Sequence, residues 1–313
     1  MSDKHRTERL TADDAGLARA AQLLVAGELV AVPTETVYGL AARADSAEAV
    51  AAVYRAKGRP DFNPLIVHVP DLAQAERLAD FDGRARLLAE RFWPGPLTLV
   101  LPRRPEAAIA AAVTAGLSTI ALRCPAHPIM RKLLELSALP LAAPSANRSG
   151  AVSPTTADHV LGTLDQRIAA VLDGGPCARG LESTIVALRE DGWQLLRAGP
   201  VTELELQSAL GKPRPVTSAM IEAPGQLPQH YSPGKPVRLG ALTAQDDEFF
   251  IGFGGLSGHC NLSPRADTAE AAAHLYACLH AAALSPFARV AVAPVPDEGI
   301  GAAINDRLRR AAA

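Results

Sequence analysis

Apolar and polar positions along this chain alternate between two periods. Residues 13–26, rich in Ala and Leu, read as a helix closing at Gly27, and the run ELVAV that follows reads as a strand leading into PTETVYGL at 33–40. Helical stretches are expected near 46–57, 84–92, 126–137 and 202–210, interleaved with the apolar runs LIVHV, LTLVL, TIALR, LPLAA, AAVLD, STIVAL and WQLLR. A strand as short and as apolar as LIVHV is covered on both faces. Helices alternating with strands of this kind predict an α/β unit built on a mixed, mostly buried sheet, and leave the strand order open.

From Gly211 the pattern breaks. KPRPVTSAMIEAPGQLPQHYSPGKP carries prolines at 213, 215, 224, 228, 233 and 236, which excludes a helix or a central strand. Extended at ~3.1 Å per residue, 211–229 would reach roughly 60 Å, so the stretch is either a plain interdomain linker or a lid that crosses a domain face. Its Gln229, His230, Tyr231 and Ser232 give it more hydrogen-bonding capacity than a spacer needs. Beyond Pro236, strands at VRLGAL, EFFIGFG and ARVAVAPV alternate with a helix starting at Asp267 or Thr268 and a closing helix at GIGAAINDRLRRA. This smaller β/α/β/α unit is Rossmann-like in style, although GFGGLSG lacks GxGxxG spacing and reads as a turn. The expected division is 1–210, 211–236 and 237–313.

Composition narrows the chemistry. With 313 residues, 48% hydrophobic, 20% charged and a formal net charge of -2, the chain is expected to fold as two globular domains and not to coat nucleic acid, while small anionic ligands stay open. Cys124, Cys177, Cys260 and Cys278 form no CxxC pair, so neither a zinc ribbon nor a redox dithiol is indicated. MSDKHRTERL has no apolar signal core and no apolar run reaches spanning length, so a cytoplasmic protein is expected. There is no GxxxxGK[ST], HExxH or GxSxG.

Four polar groupings interrupt the apolar runs. Arg55, Lys57 and Arg59 surround a helix exit at Gly58, and His68 interrupts the core strand LIVHV. They are either a solvated helix end complementing the macrodipole or a cradle for a polyanion. PTETVYGL offers Thr34, Glu35, Thr36 and Tyr38, and PSANRSGAVSPT at 144–155 offers Ser145, Asn147, Ser149, Ser153 and Thr155. Each is a turn or surface loop unless its donors converge on phosphate or ribose oxygens. Arg123 ends TIALR, Ser183 and Thr184 open STIVAL, and Arg197 ends WQLLR. Ligands of open α/β sheets collect at strand ends, and guanidinium suits carboxylate and phosphate.

Taken together, PTETVYGL, KGRPDFNPLIVH, RFWPGPLTLVL, STIALRCP, PSANRSG and ESTIV, in this order and spacing, resemble the threonylcarbamoyl-AMP synthase family with a YrdC-like domain. The resemblance spans essentially the whole chain, and APGQLPQHYSP resembles the linker of the two-domain branch. It implies an α/β fold: a YrdC-like twisted mixed sheet flanked by helices, plus a smaller Rossmann-like α/β C-terminal domain. The implied reaction takes L-threonine, bicarbonate and ATP to L-threonylcarbamoyladenylate and pyrophosphate. Downstream threonylcarbamoyl-transfer proteins then form N6-threonylcarbamoyladenosine in tRNA, with room for weak tRNA contact. Mg2+ would arrive on the nucleotide, with no metal site in the chain itself.

Carried over position by position, the resemblance implies Lys57, Arg59, Asn63, Thr119, Ser145, Asn147, Ser153 and Arg197 for ATP, with His230 and Tyr231 closing that side from the linker. For threonine it implies Thr34, Thr36, Tyr38, His68, Arg123, the backbone of Ala143, and Ser183, with Arg123 on the carboxylate. Lys57, Arg59 and His68 form the expected catalytic group. His68, desolvated in an apolar strand, would act as a neutral acceptor that orients or deprotonates the threonine amine. Arg55 becomes a surface residue, and the C-terminal domain, offering no legible ligand site, is assigned no chemistry. Two alternatives share parts of this pattern. A carbamoyltransferase of the hydrogenase-maturation type would add an acylphosphatase-like domain and CxxC zinc motifs, which the sequence lacks. A non-catalytic RNA-binding module is opposed by the net charge and by the absence of aromatics among the cations.

Overall fold

A computed structural model describes residues 6–214, 222–225 and 230–313. The apolar runs become strands and the Ala/Leu-rich stretches become helices. In chain order the strands of the larger sheet are Glu8–Thr11 (β1), Val30–Val32 (β2), Gly39–Arg43 (β3), Ile66–His68 (β4), Leu97–Pro102 (β5), Thr119–Arg123 (β6), Leu141–Ala142 (β7), Ala170–Asp173 (β8), Thr184–Arg189 (β9) and Gly192–Arg197 (β10). They lie side by side as β1-β8-β2-β3-β7-β4-β6-β5-β9-β10. β4 runs parallel to β6 and β5 parallel to β9, whereas β7 is antiparallel to both β3 and β4. The sheet is therefore mixed, as the sequence pattern predicts.

Helix ends follow local chemistry. Asp13, Ser46, Asp71, Asp82, Thr156 and Thr202 each accept a backbone N–H at the start of a helix, satisfying donors that have no partner within it. Gly58 closes Ala47–Lys57 with φ +60°, the left-handed conformation that favours glycine. β1 and the short helices Leu72–Leu78 and Ala157–Leu164 are additions to the sequence reading.

The smaller sheet consists of Val237–Leu239 (β11), Glu248–Gly252 (β12), Cys260–Asn261 (β13) and Arg289–Val292 (β14), all parallel and ordered β11-β14-β12-β13. Helices Thr268–Leu284 and Ile300–Ala311 pack with it. GFGGLSG forms a turn closed by a bridge between Phe253 and Leu256. The core of this domain is not self-contained: Phe250, Ile251, Tyr276 and Leu279 join one buried cluster with Val37, Val152, Leu181 and Tyr231. Gly180, at φ +68°, lets the two domains meet, because a Cβ there would lie 2.4 Å from the Ala272 carbonyl oxygen. Between Leu210 and Val237, residues 215–221 and 226–229 lie outside the described residues, and with them the expected role of Gln229. No helix among the described residues is long and apolar enough to cross a membrane.

Candidate active site

Strand register sets the geometry of the site. β4 and β6 are parallel with His68 opposite Arg123 and Ile66 opposite Ala121, so His68 and Arg123 come off the same sheet face at the same strand end. Around them lies a partly open cavity. Its walls bring together Thr34, Thr36, Arg59, His68, Arg123, Ala143, Ser145, Ser183, Arg197, His230 and Tyr231 from the sequence-predicted set. The described linker residues Pro224, Gly225, His230 and Tyr231 line it as well.

The turn after β2 is organised by Thr34, whose Oγ1 accepts from the Thr36 and Val37 amides at 3.1 and 3.2 Å and donates to the Val37 carbonyl at 2.6 Å. This turn presents Thr36 and Glu35 to Arg123. The guanidinium donates to Thr36 Oγ1 at 2.9 Å, to Glu35 Oε1 at 2.6 Å and to the Gly95 carbonyl at 3.2 Å. Burial alone would raise the Glu35 carboxyl, but the charge and hydrogen bond of Arg123 bring it below its ordinary value. Its second oxygen, Oε2, has no hydrogen-bond partner.

On the opposite wall Arg197 binds neutral groups: the Ser183 carbonyl at 3.0 Å, Ser183 Oγ at 3.1 Å and the Pro224 carbonyl at 3.2 Å. Ser183 Oγ also shares a 2.7 Å hydrogen bond with Thr98. Arg59 likewise donates to the carbonyls of Asn63 and Pro64, at 3.2 and 2.9 Å, and its pKa is pushed down to about 10, chiefly by burial. His68 is buried, and its Nδ1 has no hydrogen-bond partner among the described residues. Burial, then the charge of Arg123, lowers its pKa to about 3, so the ring is neutral at physiological pH. The same holds for His230, lowered to about 3 mainly by burial.

The other predicted residues stand behind the walls. Lys57 is only 2% exposed, which excludes the solvated helix end, and Arg55 is exposed. The Lys57 ammonium donates to the carbonyls of Ser145 and Asn147, each at 2.5 Å, and so pins the hydroxyl loop instead of opening into the cavity. Asn147 Nδ2 donates to the carbonyls of Arg148 and Ala151. Tyr38 points away, its hydroxyl donating to the Gly175 carbonyl at 2.8 Å and accepting from the Gly174 amide at 3.1 Å. Asn63 is buried with Oδ1 unpartnered. Thr119 opens β6, at the end of the strand opposite Arg123.

Sequence reasoning missed Glu182, which lines the cavity. It accepts from Ser153 Oγ at 2.6 Å, from the Tyr276 hydroxyl at 2.8 Å and from Arg307 Nε at 2.9 Å. Burial would push this carboxyl up, but Arg307 and then Arg197, with the hydroxyl of Ser153, hold it at about 2. Tyr276 and Arg307 belong to the C-terminal domain, to which the sequence reading assigns no chemistry, and through them that domain contacts a residue of the cavity wall. A signal was present in the sequence: Arg307 falls in the apolar stripe Ile300, Ile304, Leu308, Ala311 of the last helix, where a cation needs a buried partner.

Comparison with known proteins adds three findings. Residues 22–199 match the Sua5/YciO/YrdC family, described as telomere recombination, and residues 201–313 match the C-terminal domain of threonylcarbamoyl-AMP synthase. The chain is 39% identical over 335 residues to the threonylcarbamoyl-AMP synthase of Bacillus subtilis (strain 168), covering 98% of this chain and 95% of that protein. It is 45% identical over 225 residues to that of Pyrococcus abyssi (strain GE5 / Orsay), covering 70% and 66% respectively. Among solved structures it resembles P. abyssi Sua5 complexed with L-threonine, with a TM-score of 0.89, 34% identity and coverage of 98% of this chain and 97% of that one.

Proposed function

Because the chain belongs to the threonylcarbamoyl-AMP synthase family, in its two-domain branch, we infer that it is an L-threonylcarbamoyladenylate synthase, a nucleotidyltransferase acting in tRNA N6-threonylcarbamoyladenosine synthesis. It condenses L-threonine, bicarbonate and ATP to threonylcarbamoyl-AMP and pyrophosphate. The observation that carries this reading is one cavity in which two guanidinium groups, Arg59 and Arg197, whose hydrogen-bond acceptors among the described residues are all neutral, face the strand ends bearing His68 and Arg123.

The chemistry sets two demands. The threonine amine must lose a proton to attack CO2, formed from bicarbonate with loss of water, and the resulting carbamate must attack the α-phosphorus as pyrophosphate leaves. Both partners in the second step are anions, so their approach needs fixed positive charge and donors. Arg59 and Arg197 supply that charge, with Ser145 adding a hydroxyl and Mg2+ entering on the ATP phosphates. Arg123, Thr34, Thr36, Ser183 and the Ala143 backbone hold threonine, and neutral His68 accepts a hydrogen bond that orients its amine. Lys57, Asn147, Ser153 and Tyr38 act behind this shell by fixing the loops, and Asn63 and Thr119 extend the nucleotide side.

Residues 211–236 serve as linker and lid, a role supported by the position of Pro224, Gly225, His230 and Tyr231 on the cavity. The product is a mixed anhydride, labile to water, so it passes to threonylcarbamoyl-transfer proteins acting on tRNA in the cytoplasm. The test is pyrophosphate release by the purified protein with each substrate omitted in turn. Release that needs both threonine and bicarbonate, with threonylcarbamoyl-AMP detected by mass spectrometry, is expected. RNA binding without turnover, or carbamoyl transfer independent of threonine, would refute the assignment.

A further inference from the structure

We propose that Arg307, on the closing helix of the C-terminal domain, is a positioning residue for the nucleotide side of the cavity, cancelling the charge of Glu182 and seating Tyr231 from below. The inference rests on the synthase reading above. Among the described residues, Glu182 is the only carboxylate lining a cavity that has to accept a polyphosphate. Left alone it would repel that ligand across a low-dielectric space. Arg307 is fully buried and donates Nε to Glu182 at 2.9 Å and Nη2 to the Ala198 carbonyl at 2.9 Å. With Tyr276 and Ser153 donating to the same carboxylate, neither Glu182 oxygen remains free for a ligand or metal.

The same guanidinium faces the linker. Its central carbon lies 5.3 Å from the centroid of the Tyr231 ring, and the Tyr276 ring stacks on Tyr231 at 5.6 Å. Cation–π contact and stacking of this kind strengthen when desolvated. Tyr231 has φ +66°, a left-handed backbone that disfavours a bulky side chain, so its conformation depends on the seat beneath it. Two residues of the C-terminal domain thus fix both an acid in the cavity wall and the aromatic residue that closes it. The domain assigned no chemistry from its sequence becomes a structural part of the nucleotide site.

Arg307→Met keeps an apolar surface under Tyr231 and strips the charge that pairs with Glu182 and with Asp306, leaving Glu182 its hydroxyl donors but no ion-pair partner among the described residues. Affinity for a non-hydrolysable ATP analogue, read by calorimetry without turnover, is expected to fall more than about tenfold, while KM for threonine changes less than about threefold. Arg307→Lys, which restores a cation, and the double variant Glu182→Gln/Arg307→Met, which removes both charges, are expected to recover affinity to within about threefold of the wild type. Equal shifts for ATP and threonine, or a double variant no better than Arg307→Met, would overturn the proposal. Should Arg307→Met not fold, the double variant decides: near-wild-type affinity supports the proposal and a tenfold loss refutes it. Wild-type pyrophosphate release tests the synthase reading separately.

Discussion

Replacing Lys57 by Met separates the stability of this protein from the order of its site. The ammonium is buried and donates to the carbonyls of Ser145 and Asn147. Charge-assisted hydrogen bonds contribute about 1.5–3 kcal/mol each, so the variant forfeits roughly 3–6 kcal/mol. Against this, an ammonium taken out of water costs several kcal/mol after relaxation, and burial lowers the Lys57 pKa well below its ordinary value, with Arg59 acting the same way. The two effects nearly cancel, and the net change in unfolding free energy is expected to stay within about 2 kcal/mol.

Activity has no such compensation. Ser145 keeps one partner for its carbonyl, the Asn147 amide at 3.0 Å, but Asn147 loses its own, and the loop carrying the Ser145 hydroxyl is released. A displacement of about 1 Å at a reacting site costs on the order of 100-fold in turnover. Urea unfolding gives the stability term, and pyrophosphate release with varied ATP and threonine gives the catalytic one. Faster hydrogen exchange at Ala146–Ser149 is expected alongside. Near-normal turnover, or a loss of stability above about 4 kcal/mol, would show that the balance drawn here is wrong.

Other substitutions probe the remaining walls. His68→Gln is expected to lower kcat/KM for threonine without altering the pH profile between 5 and 8, because the wild-type imidazole, lowered to about 3, is neutral throughout that range. An acid limb near 6.5 that vanishes in the variant would contradict this. Glu35 has a folded-state pKa below its ordinary 4.5, so the native state binds fewer protons and the pair with Arg123 stabilises fully above that value and fades as pH falls through and below it. Glu35→Gln should therefore cost about 3 kcal/mol at pH 7 and show a shallower loss of stability by urea unfolding from pH 5 to 3 than the wild type. Gly225 has φ +87°, and a Cβ there would lie 2.9 Å from Arg197 Cδ and 3.1 Å from the Tyr231 hydroxyl. Gly225→Ala should raise KM for ATP several-fold at a stability cost of about 1–2 kcal/mol, and unchanged kinetics would mean that this segment leaves the cavity during turnover.

Much of the fold was legible because buried strands are continuous apolar runs and good helix formers end at glycine. Leu72–Leu78 and Ala157–Leu164 escaped because one or two turns of mixed polarity carry too little periodicity. Strand order could not be read, since β7, two residues long, is inserted between β3 and β4 by contacts distant in sequence. The cation and hydroxyl motifs come together around one cavity, but their sequence does not tell which groups reach it. Lys57 illustrates why: its partners lie 88 and 90 residues away, and only the closed loop turns a cation near a helix end into an internal support. Glu182, flanked by hydroxyl-bearing Ser183 in the sequence, gains its meaning from Arg307, 125 residues on.

On the proposed function, charge pairing across the site accounts for two substrates meeting in one cavity. Two cations are paired with carboxylates, Arg123 with Glu35 and Arg307 with Glu182 and Asp306. The other three, Lys57, Arg59 and Arg197, donate their hydrogen bonds to carbonyl and hydroxyl oxygens among the described residues, although Arg197 also feels the Glu182 charge. Neutral acceptors satisfy the geometry of a guanidinium without removing its charge, so the nucleotide side keeps its positive field while the threonine side is close to neutral. A zwitterionic amino acid suits the second environment, and a polyphosphate the first. The unfavourable burial of three cations is then offset when the anion arrives, because attraction in a desolvated space is strong. On that same proposed division, Glu35 neutralises the threonine side, and Glu182, joined to Arg307, keeps its own charge from weakening the nucleotide side.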